Sequence, residues 1–539
     1  MKQLYWDTPE KLRDLLLELV SWQSMTLSAG EREFPIKLMR KFQNLEYYQN
    51  NPDLLKLHDV KQGRSFLTVL YKHPEAQDTV VLLSHFDTVS SEEYGELEPY
   101  AYQPEVLTEL FRTRMDEFSE EVRRDLESGE YLFGRGTMDM KMGIALHMRL
   151  IEKATVEKWP LNLLLLTVPD EEVNSEGMRS AVTKLLELKE EYKLDYNLFL
   201  NGEPVFIKVP GEHRYNIYSG SMGKIMPSAL FFGKETHVGE PLRGMTANYM
   251  ASFLTQRMEW NKSFQETEMG ETTPLPVNLQ QKDLKMEYSV QTPYRAAALY
   301  NVILLKRTAA EIMDIFEKVA EDAARACNQA YINICEDQGV QPIGTVQVLR
   351  YEQLVKYAVE KYGQEFVEEV KGKIHANQDL DDREKSLRLA DTLMIQCQEL
   401  APAVVLLFAP PYYPPVNSSD NGLVKKCVDY LQEQGPKKYN LSVHQVHYFN
   451  GICDLSYVNY QGNGGGWNDF ILNTPVWSDS YSIPFAEMTM LQAPVLNVGP
   501  FGKDAHKRTE RLHINNAFEE VPHLVEGMIK MMINGKNEN

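Results

Sequence analysis

The sequence contains no uninterrupted apolar run approaching the ~18 residues that a membrane-crossing helix needs, so a soluble chain is expected. Cysteine is scarce. The five present (Cys327, Cys335, Cys397, Cys427 and Cys453) are odd in number and form no CxxC pair, which argues against a disulfide framework and against a cysteine-based zinc site. A reducing, cytoplasmic setting is the expectation. Positive charge is also short, with 56 Lys and Arg against 77 Asp and Glu and a net charge of -21. Such a field repels a phosphate backbone, and no basic cluster with interleaved aromatics offsets it, so neither nucleic acid nor a membrane is an expected partner. The loop "YQGNGGGWNDF" carries Gly462, Gly464, Gly465 and Gly466 but lacks the GK[ST] continuation and the strand-then-helix context of a phosphate cradle. It reads as a plain loop. The start, "MKQLYWDTPEKLRDLLLELVSWQS", scatters charges among apolar residues at helical spacing and reads as an amphipathic helix, not a signal peptide.

What is present is enough apolar sequence, 43% of 539 residues, to build more than one domain. From residue 65 to 203 short Leu-rich or β-branched runs ("FLTVLYK", "TVVLLS", "LNLLLLTV", "LDYNLFL") alternate with helical patterns from about Met140 to Lys153 and near 176 to 190. That alternation predicts an α/β domain with a mostly parallel sheet flanked by helices. The middle differs: a strand-like "IMPSALFFGK", a helix near 248 to 260, the β-rich "PYRAAALYNVILLK", then three helical segments. Thr308 with Glu311, and Asp381 with Glu384, have capping-box spacing at two of their starts. "AVVLLFAPPYYPP" reads as a strand closed by prolines. The expected division is therefore 1–212 and 415–539 for the α/β domain, with 213–414 inserted.

Polar residues fall where these strands end. His85 and Asp87 follow "TVVLLS"; Asp170, Glu171 and Glu172 follow "LNLLLLTVP"; Glu203 follows "LDYNLFLNG"; His506 lies beyond "APVLNVG"; and Asp139 in "GRGTMDMKMG" is read at a helix start. In open α/β sheets ligands bind at the carboxyl ends of strands, so these groups can share one crevice. Each alone has an ordinary explanation: a strand-end histidine, a solvated acidic helix start, a cap, a turn. His147 reads as packed helix surface. Together, two imidazoles and several carboxylates form an N/O ligand set for zinc or a similar divalent ion, and that many carboxylates gathered without a cation would be strongly unfavourable.

In order, "SHFDTV", "LFGRGTMDMKMG", "TVPDEEVNSEG", "NGEP", "GKETHVGEPLRGMTAN" and "GPFGKDAHKRTE" resemble the signature of the co-catalytic zinc metallopeptidases and amidohydrolases, which include glutamate carboxypeptidase, aminoacylase, acetylornithine deacetylase and succinyl-diaminopimelate desuccinylase. Within that family the chain is most similar to the RocB-like arginine-utilisation branch, which would imply a part in arginine catabolism. The resemblance implies a zinc-exopeptidase-type fold with an inserted α+β lid, here enlarged by helices near 352 to 374 and 381 to 401. It also implies two divalent ions, zinc with cobalt or manganese as alternatives. Ion ligands would be His85 and Glu203 on one side, Glu172 and His506 on the other, with Asp139 bridging. Asp87 would orient His85, Glu171 would be the acid/base, and His237 would stabilise the oxyanion, often from a partner subunit; a homodimer and a monomer both fit. His513 is the alternative to His506, and Asp454 resembles an outer carboxylate near the metals. Asn248 and Arg295 are candidate substrate contacts, although the spacing in "GMTAN" departs from the family pattern, and Arg295 and Arg243 also read as surface arginines. The expected reaction is hydrolysis of an amide or peptide bond in a small peptide or N-acyl amino acid; the competing reading is a silent family member that binds a metabolite or a partner.

Overall fold

The computed structural model describes residues 4–205, 214–285, 289–462 and 466–534. Gly464 and Gly465, and the expected boundary between 212 and 213, lie outside the described residues. The chain divides into two compact units: Met1–Ser221 with Val416–Tyr460 and Ala486–Asn539, and Met222–Pro415 with Gln461–Phe485. Among the described residues no helix is long and apolar enough to cross a membrane.

The first unit is built on an eight-stranded sheet in the order Leu55–Asp59, Ser65–Tyr71, Asn162–Val168, Asp78–His85, Asp195–Asn201, Val495–Asn497, Tyr215–Tyr218, Val443–Val446. The four strands at its middle, Asn162–Val168 through Val495–Asn497, run parallel to one another. Strand Ser65–Tyr71 instead runs antiparallel beside them, as does its neighbour Leu55–Asp59 against it. The middle strands are continuous apolar runs because both faces are covered: Val81, Leu82, Leu83, Leu163, Leu164, Leu165, Leu166 and Leu200 are all 0% exposed. Each such side chain contributes on the order of 1.5–3 kcal/mol by leaving water. Helix Pro9–Ser21, capped by Thr8 and opened by Pro9, buries Leu12, Leu15, Leu16, Leu19 and Val20 at helical spacing.

Helix Met142–Glu157 follows the Asp139 turn and is buried along nearly its whole length. It comes so close to the chain after Asp195–Asn201 that a Cβ on Gly143 would stand 2.4 Å from the Gly202 carbonyl oxygen. His147, one turn further on, is not at the packed helix surface expected of it but 0% exposed, and among the described residues neither ring nitrogen has a hydrogen-bond partner. Burial alone holds it down to about 3, so the folded protein keeps it neutral while the unfolded chain takes up a proton below its ordinary pKa near 6.5. The unfolded state then binds more protons between those limits, and stability falls as pH falls, by about 1.4 kcal/mol per pH unit from this group. His147→Leu should flatten the stability curve from pH 6 to pH 4 by that slope in urea titrations; parallel curves for variant and wild type would refute it.

The second unit holds a five-stranded sheet, Val277–Asp283, Arg295–Leu304, Gly223–Phe232, Ala403–Tyr413, Gln347–Arg350, antiparallel except for the last pair. Helices Ala247–Met258 and Ala309–Asp337 belong to it, the latter opened by a complete Thr308/Glu311 capping box. At Asp381 only half of that device forms, its carboxylate accepting from the Glu384 amide. The predicted helix near 352 to 374 is two helices, Tyr351–Tyr362 and Gln364–His375, because Gly363 takes φ 88° between them. Strand Ala403–Tyr413 runs through Pro410 and Pro411, which sit where the register shifts between Ala409 and Tyr413 and no ladder donor is needed there. Residues 461–485 join this unit through an aromatic stack, with Phe470 4.7 Å from Tyr412 and 5.5 Å from Phe408.

Candidate metal centre

Sheet register gathers the polar residues. His85 ends its strand opposite Val168, so Glu171 and Glu172 follow immediately on the neighbouring strand's exit. On the other side Leu83 pairs with Asn201, which places Glu203 just past the same edge. Strand Val495–Asn497 leaves beside Asn201 and leads to His506. A Cβ on Gly499 would stand 2.1 Å from the Glu203 carbonyl oxygen, and Asn497 Nδ2 donates to that oxygen at 3.0 Å, so Glu203 is fixed from the backbone side. Asp139 sits in an irregular turn, Thr137–Lys141, ahead of the helix and not inside it.

The resulting distances form a chain of donors. His85 Nε2 is 3.3 Å from Asp139 Oδ1, 3.4 Å from Glu203 Oε1 and 3.8 Å from Glu171 Oε2. His506 Nε2 is 3.1 Å from Asp139 Oδ2 and 3.1 Å from Glu172 Oε2. Asp139 thus faces one imidazole with each oxygen. Two triplets, His85–Glu171–Glu203 and His85–Asp139–Glu172, bring ligand atoms within 4.8 Å of one another.

Asp87 does more than face His85. The near neighbour of His85 Nδ1 is the Asp87 carbonyl oxygen at 3.1 Å, with the carboxylate at 3.4 Å. That carboxylate accepts the backbone N–H of Glu171 at 3.1 Å and of Glu172 at 3.3 Å, and the Thr26 hydroxyl at 2.9 Å. One buried residue therefore sets the imidazole's outer nitrogen, chiefly through its backbone carbonyl, and the entry of both glutamates through its carboxylate, leaving Nε2 turned toward the other carboxylates. Asp170, just before them, is locked in a left-handed conformation by Arg64, whose guanidinium is 2.8 Å from Asp170 and 2.6 Å from Glu176.

Burial dominates the electrostatics of the cluster. Burial raises Glu171 and Glu203 well above the usual carboxylate range; His85 pulls each down, while neighbouring carboxylates push each further up. Burial and Asp139 likewise raise Glu172. Against its own burial, Asp139 is held low by His506 and His85. Partial burial opposes charge on His506, yet Asp139 and Glu172 push it up to about 11. Asp454, 3% exposed, is raised to about 7 by burial. A set of buried carboxylates that resist ionisation beside two imidazoles fits two divalent cations, which would hold every oxygen ionised and both imidazoles neutral.

Of the remaining sequence candidates, His513 belongs to the first unit and His237, Asn248, Arg295 and Arg243 to the second. His513 is on strand Arg511–His513, its Nδ1 accepting the Asn516 amide at 3.2 Å and its ring edge-on to Tyr131, so it is committed away from the cluster. In the second unit, His237 is exposed, and its Nδ1 accepts the Gly239 N–H at 3.1 Å, which leaves the proton on Nε2. Asn248 is exposed in the first turn of helix Ala247–Met258. Arg295 is no spare surface cation: its guanidinium is 2.9 Å from Asp391, a carboxylate 2% exposed. Arg243 is a surface side chain.

A family model described as Peptidase family M20/M25/M40 matches residues 81–467. Two Bacillus subtilis proteins are similar over nearly the full chain. YqjN is 40% identical over 98% of this chain and 97% of its own. RocB is 29% identical over 96% of this chain and 94% of its own. Among solved structures, an M20 family metallo-carboxypeptidase from Sulfolobus solfataricus shares the fold at TM-score 0.56 and 12% identity, covering 96% of this chain and 98% of that one. A tripeptidase from Staphylococcus aureus does so at 0.52 and 14%, covering 98% and 100%. With the family model matching well over half of its residues, the chain belongs to peptidase family M20/M25/M40, a family of metallopeptidases and amidohydrolases.

Proposed function

We propose that this chain hydrolyses an amide or peptide bond of a small peptide or N-acyl amino acid, using a pair of zinc ions. The observation that carries this reading is Asp139, whose two oxygens face His85 at 3.3 Å and His506 at 3.1 Å. His85 and Glu203 would hold one ion and Glu172 and His506 the other, with Asp139 as the carboxylate shared between them. When bound, such a pair supplies a water of lowered pKa and polarises the scissile carbonyl.

Glu171 handles the protons. Its Oε2 is 3.8 Å from His85 Nε2, farther than Glu203 Oε1 at 3.4 Å and Asp139 Oδ1 at 3.3 Å, and Asp87 holds its backbone so that the side chain projects beside the ligands. It accepts the proton of the attacking water and delivers it to the departing amine, so the amide C–N bond breaks as the acyl group takes up oxygen. His237, with its proton on Nε2, is a donor suited to the developing oxyanion. Asn248 is the polar side chain of the second unit that we assign to substrate. Similarity to RocB supports a substrate from arginine or other amino-acid catabolism.

His237→Ala should lower kcat by about 10²–10³-fold with little change in KM, as loss of an oxyanion donor does. An unchanged kcat would return His237 to the surface. The activity itself is tested by an amine-release screen of dipeptides and N-acyl amino acids, arginine and ornithine derivatives included, with zinc, cobalt or manganese added; no metal-dependent release from any of them would remove this reading.

A further inference from the structure

The two segments that carry Asp139 and His506 are tied together by a buried charge pair outside the ligand set. Strand Tyr131–Phe133 pairs antiparallel with Arg511–His513, and the Gly134 N–H continues that ladder to the Glu510 carbonyl oxygen at 3.0 Å. Glu510 then reaches across with its side chain: Oε2 is 2.7 Å from Arg135 Nη1, and Oε1 faces the successive amides of Met138 and Asp139 at 3.4 and 3.5 Å. Arg135, 1% exposed, also pairs with Glu93 at its outer end. On the far side, the loop from Asp504 to Glu510 is closed on itself, with the Thr509 hydroxyl donating to Asp504 at 2.9 Å and Lys507 Nζ at 3.0 Å.

Glu510 is 0% exposed, and a buried ion pair roughly breaks even against a well-packed apolar substitute, so stability alone does not account for it. Its location does. It is the side chain that joins the self-closed His506 loop to the amides of the Asp139 turn, and a carboxylate aimed at two amides fixes the direction in which the following side chain leaves.

Resting on the two-ion reading above, we propose that Glu510, held by Arg135, is a positioning residue that sets Asp139 against His506 and so governs binding of the ion between His506 and Glu172. The ion between His85 and Glu203 depends less on it, because both of those ligands leave the ends of middle strands of the sheet. Glu510→Gln keeps the shape and an oxygen for the amides but loses the charge that holds Arg135. Outer-shell changes of this kind typically cost 10–100-fold in metal affinity.

The test is Co2+ titration of the full-length protein by calorimetry and visible absorption, with metal-free unfolding followed alongside. Wild type should bind two Co2+ per chain. Glu510→Gln should weaken one Co2+ by about 10–100-fold, with a changed absorption band for that ion, and leave the other within about twofold. Glu93→Gln, which removes the outer partner of Arg135 without touching the Asp139 turn, should bind both as wild type does. Two Co2+ bound by Glu510→Gln with native affinities, or both weakened equally, would overturn the proposal. Should Glu510→Gln fail to fold, Arg135→Lys keeps a cation at the carboxylate but loses the planar fork, and unchanged binding of both ions there would also overturn it. Failure of the wild type to bind two ions would instead remove the two-ion reading, and this inference with it.

Discussion

Glu171→Gln should leave two metal ions per chain and lower kcat by about 10²–10⁴-fold, the range that general acid–base catalysis supplies. The variant is nearly isosteric, so Asp87 still receives the backbone N–H of residue 171 and the loop keeps its shape. What it loses is the carboxylate that exchanges a proton with water and with the leaving amine. The geometry makes the metal count as informative as the rate, since Glu171 also belongs to a triplet whose ligand atoms lie close enough to hold an ion. Its Oε2 is 3.8 Å from His85 Nε2, against 3.4 Å for Glu203 and 3.3 Å for Asp139, and on those distances we assign the ion to the nearer pair. A drop to one ion in Glu171→Gln would make Glu171 a ligand and leave the base unassigned; full turnover would end its role altogether.

Asp139→Ala should bind at most one ion and show no metal-dependent turnover above background. Both imidazoles lose a carboxylate at once, because each faces a different oxygen of the same side chain. The remaining sets, His85 with Glu203 and His506 with Glu172, offer two protein donors apiece, fewer than the three that catalytic zinc sites keep. His506 is half exposed and lies on a loop, so its ion should be the first to go. Two ions held with native affinity by Asp139→Ala would show that Asp139 does not span the pair.

Much of this site was legible before any coordinates, for a physical reason. Strands buried on both faces must be apolar throughout, so a polar residue ending such a run stands out, and parallel neighbours deliver their ends to one edge; His85, Glu171, Glu172 and Glu203 are all found that way. The position of His506 after "GP" and four residues before Glu510 already sets it ahead of His513, whose strand and ring contacts no periodicity announces. The Arg135–Glu510 pair escaped because charged residues in "GRG" and "HKRTE" read as solvated until their burial is known. The sequence pairs Asp87 with one histidine, whereas its carboxylate also accepts two backbone N–H groups that have no sequence signature. In the second unit, the break at Gly363 followed from a rule that was available, while a strand running through Pro410 and Pro411 contradicts the usual one, and 461–485 joins by aromatic stacking that carries no period.

The central claim is that this chain is a two-ion amide hydrolase, and the most direct measurement pairs metal content of gently purified protein with amine release from dipeptides and N-acyl amino acids before and after chelation. Two divalent ions per chain, and release that disappears with chelator and returns with zinc, cobalt or manganese, is the predicted result. Protein that takes up no divalent ion under any of these conditions, or release that survives complete removal of metal, would contradict the account.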